Sequence, residues 1–110
     1  MDVVVADHPS GGCRVVTLSG QLDMDTVGLL EQAVTEARTR SPRVVVDLGE
    51  VTFCDSIGLS TLVVAERACT ADGGYLRLAR PTPFILNLLT VVGVSNAVPV
   101  FDSVDAAQKA

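Results

Sequence analysis

Val44-Val45-Val46-Asp47-Leu48-Gly49-Glu50-Val51-Thr52-Phe53-Cys54-Asp55-Ser56-Ile57-Gly58-Leu59 decides how this chain is read. Val44, Val45, Val46 and Leu48 form a continuous apolar run, the pattern of a strand covered on both faces at the centre of a sheet. After Gly49-Glu50, Val51 and Phe53 lead into Cys54-Asp55-Ser56-Ile57-Gly58. Leu59, Leu62, Val63, Val64, Ala65, Ala68 and Cys69 then cover most of a helix surface, which Asp72-Gly73-Gly74 ends. Asp55-Ser56 thus falls where a buried strand ends and a helix begins.

Upstream, Ser41-Pro42 interrupts a helical period in which Val27, Leu30, Val34 and Ala37 share one stripe between Asp25 and about Arg38, with Asp25 available as its cap. Before it, Val3, Val4 and Val5 form a short β-branched run, and Asp7 to Gly12 is rich in turn formers. Arg14 to Ser19 alternates, with Val16 and Leu18 on one face, and Gly20 closes a hairpin. Downstream, Tyr75 to Ala79 alternates as a strand, and Phe84, Ile85, Leu88, Leu89 and Val92 make a short helix stopped by Gly93. Val98 to Phe101 offers a last strand, and Asp102 or Ser103 caps a final helix from Val104 to Lys109. The order ββαβαβαβα predicts an α/β fold: a mostly parallel mixed sheet with an antiparallel N-terminal hairpin and about four helices packed against it.

Composition bounds the function. With 110 residues, 48% hydrophobic and 19% charged, the chain is expected to fold as one compact domain over residues 1–110. Thirteen acidic against eight scattered basic residues give a net charge of −5 and no cationic stripe, so nucleic acid is not an expected partner. Three cysteines at wide spacing and a single histidine, His8, suggest neither a disulfide framework nor a metal site and fit a reducing, cytoplasmic setting. Met1 to Pro9 does not resemble a secretory signal. The longest apolar stretches fall well short of the roughly 20 residues of a membrane-spanning helix, so no membrane insertion is expected. No Gly-rich phosphate loop, metal-ligand cluster or Ser-His-Asp order is visible, which argues against an enzyme and against a bound cofactor.

The chemistry that remains is at Asp55-Ser56. A serine that opens a helix holds its hydroxyl near unpaired N–H groups, where a phosphate is stabilised by those donors and by the helix dipole. The modification adds a charge of roughly −1.5 to −2 beside Asp55, enough to expel a partner from a desolvated contact. Ordinary helix capping accounts for the same two residues and is compatible with a switch. Gly58, early in a helix, points to a close backbone approach or to a packing requirement.

These residues resemble those of the STAS domain, shared by bacterial anti-sigma factor antagonists and the cytoplasmic ends of sulphate transporters. Over nearly the whole chain the order of elements agrees: Gly20-Gln21-Leu22-Asp23 is similar to the family's G-x-L-D turn, Val44 to Leu48 to its central strand, and Asp55-Ser56-Ile57-Gly58-Leu59 to its D-S-x-G-L phosphorylation motif. The resemblance implies that Ser56 is the phosphorylated residue and that Asp23, Asp55, Ser56, Ile57, Gly58 and Leu59 form the partner-binding face. It implies that the unmodified domain binds an anti-sigma factor that is also a serine/threonine kinase, releasing a sigma factor. The kinase would supply ATP and Mg2+, and a separate serine phosphatase would restore Ser56. Ile57 departs from the small or hydroxyl residue of many relatives, leaving Ser56 the only hydroxyl at the helix mouth and bearing on which kinase accepts it. The alternative that the resemblance leaves open is a non-enzymatic structural STAS subunit of a transporter or larger signalling assembly.

Other residues carry competing readings. Asp23 either shapes the binding face or makes a simple turn. Ile57, Leu59 and Val64 cannot all face the sheet if Leu62 and Val63 do, so part of this helix is either an exposed apolar patch or additional core. Cys54 is read as a small buried hydrophobe in preference to an oxidant sensor, and Cys13 and Cys69 likewise. His8, in a Pro/Gly turn, is expected to be a solvent-exposed loop residue. Asp47 lacks the acidic pair and the later lysine of a phospho-accepting aspartate, since the only lysine is Lys109.

Overall fold

The valine run forms the middle of strand β3 (Arg43–Cys54), and a computed structural model describing residues 1–110 arranges the rest of the chain around it. Strands β1 (Asp2–Asp7) and β2 (Arg14–Leu22) precede helix α1 (Val27–Arg38). After β3 come helix α2 (Ser56–Ala71), strand β4 (Tyr75–Ala79), helices α3 (Pro83–Val91) and α4 (Val94–Ala97), strand β5 (Val100–Phe101) and helix α5 (Val104–Lys109). The sheet order is β1-β2-β3-β4-β5, with β1 antiparallel to β2 and every other pair parallel. The mixed α/β fold with an antiparallel edge hairpin is the expected one.

Alternation along β3 divides its side chains between two faces. Val44 and Val46 join Val16 and Leu18 of β2, Leu30 and Val34 of α1, and Leu62 and Cys69 of α2 in a cluster of 22 buried residues. Val45 points the other way, to a cluster of four with Cys13, Ala79 and Ala107. The larger face holds most of the apolar burial that drives folding. Beneath it all, Val44, Val45, Val46 and Leu48 are essentially inaccessible, as a strand covered on both sides requires.

Several boundaries differ from the sequence expectation, each for a local reason. The hairpin arm does not close at Gly20 but continues to Leu22, and β3 runs on through Gly49-Glu50 to Cys54. Register shifts between Thr17 and Ser19 and between Gly20 and Gln21 each leave an extra residue on β3. The glycines that read as strand ends therefore mark bulges, where a strand bends and twists without stopping. Asp25 does not cap α1. Thr26 is the cap residue, and the Asp23 carbonyl accepts the Thr26 and Val27 N–H groups instead. Helix α4 is additional to the expected elements: Gly93, at φ 81°, ends α3 and opens a further four-residue turn. Its last contact buries Val98, so β5 is left with only Val100 and Phe101.

His8 is also not the exposed loop residue expected from its turn-rich surroundings. It is only 8% exposed. Its Nε2 lies 2.9 Å from Asp105 Oδ1, and its Nδ1 accepts the Ser10 N–H at 3.1 Å, tying the β1–β2 turn to α5. The partner that buries it is 97 residues away, beyond the reach of any local pattern. Asp47 is likewise structural: buried at 7% exposure, it pairs with Arg80 at 2.7 Å and accepts the Gly49 N–H. No helix is long and apolar enough to cross a membrane.

Candidate functional site

The bulged end of β3 delivers Cys54 to the sheet edge, and Asp55 turns the chain into α2 with extended backbone at the cap position. Its N–H donates to the Leu22 carbonyl at 3.1 Å, so the turn is anchored on the end of β2. Oδ1 accepts the Gly58 N–H at 2.8 Å, the usual N-cap bond, and Oδ2 accepts the Met24 N–H at 3.0 Å. One carboxylate thus joins the helix mouth to the β2–α1 turn.

That turn is built by Asp23. Its Oδ1 accepts the Asp25 N–H at 3.0 Å, and its own N–H donates to Thr26 Oγ1 at 2.9 Å. Thr26 Oγ1 in turn donates to the Gln21 carbonyl at 2.8 Å. Asp23 therefore has a turn-forming role, and it shapes the site through the backbone of Met24. Met24, 70% exposed, was not singled out by the sequence; nothing in a single methionine between two aspartates marks it, and only the register of the two loops brings it here.

Gly58 is required by proximity. A Cβ at this position would come within 2.7 Å of the Leu22 carbonyl oxygen and 2.8 Å of Cys54 Sγ. The helix starts so close to the end of β2 that only hydrogen fits between them. Cys54 is buried in this crossing, and desolvation, with a smaller contribution from the Asp55 charge, pushes its thiol up to about 12. It packs as a small hydrophobe whose thiolate is disfavoured.

Ser56, the first residue of α2, is exposed, and its carbonyl accepts the Ser60 hydroxyl at 2.9 Å. It borders a cleft lined by Val63, Val64, Arg67, Val92 and Val94. Ile57 and Val64, exposed by 47% and 62%, stand one above the other at a spacing of two helical turns and line a second groove toward α1, which shares Ser60 and Val64 with this cleft. The exposed-patch reading therefore holds for Ile57 and Val64. Leu59 is not part of that exposed patch: at 6% exposure it belongs to the main core and contributes to the wall of the cleft beside Ser56. Asp55, Ser56, Ile57 and Gly58 are brought together at one mouth, with Asp23 behind the adjoining turn.

Comparison with known proteins places this arrangement in a family. The family described as Mlab, STAS domain matches residues 5–100. The chain is 28% identical over 94 residues to the anti-sigma F factor antagonist of Paenibacillus polymyxa, covering 84% of this chain and 80% of that one. It is 39% identical over 65 residues to the anti-sigma-F factor antagonist RsfB of Mycobacterium tuberculosis, a match that spans 58% of this chain and about half, 52%, of that relative. The crystal structure of an anti-sigma factor antagonist from Mycobacterium paratuberculosis superposes with a TM-score of 0.85 at 29% identity, covering 98% of this chain and 91% of that one. Strand order, helix mouth and sequence match agree, and the chain belongs to the STAS domain family, of the type found in bacterial anti-sigma factor antagonists.

Proposed function

We propose that this chain is an anti-sigma factor antagonist of the cytoplasm, which binds an anti-sigma factor serine/threonine kinase while Ser56 is unmodified and thereby releases a sigma factor. The exposed hydroxyl of Ser56 at the mouth of α2 carries the reading, because a kinase reaches it without unfolding the domain. Names of relatives covering most of both chains support the regulatory role.

The apolar surface of Ile57, Met24 and Val64 supplies the contact that docking desolvates. In the modification the Ser56 oxygen forms a new bond to the γ-phosphorus of ATP, the bond to ADP breaks, and the hydroxyl proton passes to a base on the kinase. The resulting charge of roughly −1.5 to −2 stands beside the like-charged carboxylate of Asp55, which its two N–H donors hold at the mouth. Burying that charge against a partner is costly, and the complex dissociates. A separate serine phosphatase restores the hydroxyl. In this cycle the chain is ligand and substrate, and the catalysis belongs to its partners.

The experiment pairs the chain with an anti-sigma factor serine kinase from the same organism. Wild type should gain one phosphate with ATP and Mg2+, found by peptide mass spectrometry at Ser56. Ser56→Ala should gain none and still bind, while Ser56→Asp should bind more weakly. Phosphate at another residue, or undiminished binding after stoichiometric modification, overturns the reading.

A further inference from the structure

The amino ends of the parallel strands, at the opposite pole of the sheet from Ser56, gather positive charge. Arg14 opens β2, Arg43 opens β3 and Arg40 lies in the connection between α1 and β3; with Asp7, His8 and Ser41 they line a cleft of about 430 Å³. Three of the eight basic residues of a chain with net charge −5 meet here, although they look scattered along the sequence. Arg40 and Arg43 are exposed and take part in none of the four ion pairs, which use His8, Arg14, Arg38 and Arg80.

Arg14 is the residue that asks for a ligand. It is 8% exposed, and Asp7 Oδ1 lies 2.9 Å from its Nε. That oxygen is out of line with the N–H, so this buried donor has no hydrogen-bond acceptor in the chain. A buried N–H without an in-line acceptor is uncommon and costly, even where, as here, a carboxylate stands beside the charge. His8 does not serve it, because both ring nitrogens are engaged by Asp105 and Ser10. Asp7 is 65% exposed and is the one carboxylate on the cleft, which leaves an excess of two positive charges among three guanidinium groups.

We propose that this cleft binds a phosphate-class oxyanion, with Arg14 as the buried anchor and Arg40 and Arg43 closing on it from solvent. A tetrahedral dianion matches the charge excess, and its oxygens suit the planar N–H forks of arginine. Free phosphate and the phosphoryl group of a small metabolite share this chemistry. The site is independent of Ser56 and of any protein partner.

The test titrates inorganic phosphate and, separately, glycerol 3-phosphate into the full chain at constant ionic strength, followed by calorimetry and by the arginine Nε–H resonances in nitrogen-15 spectra. Saturable binding is expected, with movement of the Arg14 Nε–H resonance, identified by its loss in Arg14→Lys. The double variant Arg40→Gln/Arg43→Gln should weaken binding by about tenfold or more. Both positions are exposed, so its urea midpoint should match wild type; Arg67→Gln, on α2, should bind normally. Equal affinity for the two ligands identifies the free anion as sufficient, and tighter glycerol 3-phosphate identifies a phosphorylated metabolite, both in support. Absence of saturable binding by either ligand, or binding unchanged in the double variant, overturns the proposal.

Discussion

The Asp55 carboxylate holds the backbone of Met24, accepting its N–H at 3.0 Å on one oxygen while the other caps α2 at Gly58. Two loops that belong to different crossovers are thereby fixed to one side chain. Asp55→Ala should lower stability by about 1–2 kcal/mol in urea unfolding, as for a lost N-cap with an added orphaned N–H. Amide exchange should accelerate at both Met24 and Gly58. Asp55→Asn, which keeps one acceptor oxygen, should lose less than Ala does.

Gly58→Ala tests the close approach of α2 to β2. In an open helix this change would stabilise by up to about 1 kcal/mol. Here the added methyl meets a backbone carbonyl, which has no rotamer in which to withdraw, so overpacking of about 1–3 kcal/mol should win. The thermal midpoint is expected to fall, and a rise would show that the crossing is looser than described.

Alkaline pH should weaken the fold through its thiols. Burial pushes Cys54 up to about 12 and Cys69 up to about 11 from an ordinary value of 9.0. Below pH 9 both thiols are protonated whether the chain is folded or not, and nothing is lost. As the pH rises past that value the unfolded chain ionises first, so stability falls by at most about 1.4 kcal/mol per pH unit for each thiol, up to about pH 11 for Cys69 and about 12 for Cys54. The double variant Cys54→Ala/Cys69→Ala should show a shallower slope in urea titrations over that range. At pH 8 native Cys54 should also resist iodoacetamide until the chain unfolds.

The His8–Asp105 contact predicts a long-range effect of a turn residue. His8→Ala removes the acceptor of the Ser10 N–H and the tie to α5, and should cost about 1–3 kcal/mol. Faster amide exchange in Val104–Lys109 would locate the loss; an effect confined to the β1–β2 turn would contradict the tie.

Much of this architecture is written in local pattern. The valine run of β3, the alternation of Val16 and Leu18, and the stripe of Leu30, Val34 and Ala37 each found its expected face. Helix caps at Asp55-Ser56 and at Asp102 or Ser103 were also legible, and Asp55 and Ser103 are the residues that accept the N–H three positions on. What sequence pattern did not give depends on distant partners. The burial of His8 needs Asp105, the second role of Asp55 needs Met24, and the continuity of β2 and β3 past Gly20 and Gly49 needs each strand to supply the other's bulge partner. Leu59 turns into the core while its neighbours Ile57 and Ser60 lie outward, a division set by the docking angle of α2.

The uneven division of the core between the sheet's two faces has a kinetic consequence. The short final helix packs its Ala107 on three other buried residues, with Arg77 donating to the Ala107 carbonyl at 2.8 Å as a latch, whereas the other side is sealed by a cluster of 22. Opening is therefore expected to begin at the carboxyl-terminal cover, at a fraction of the global cost, while the far layer stays shut. Amide exchange should accordingly be faster on that flank than along the serine-bearing helix.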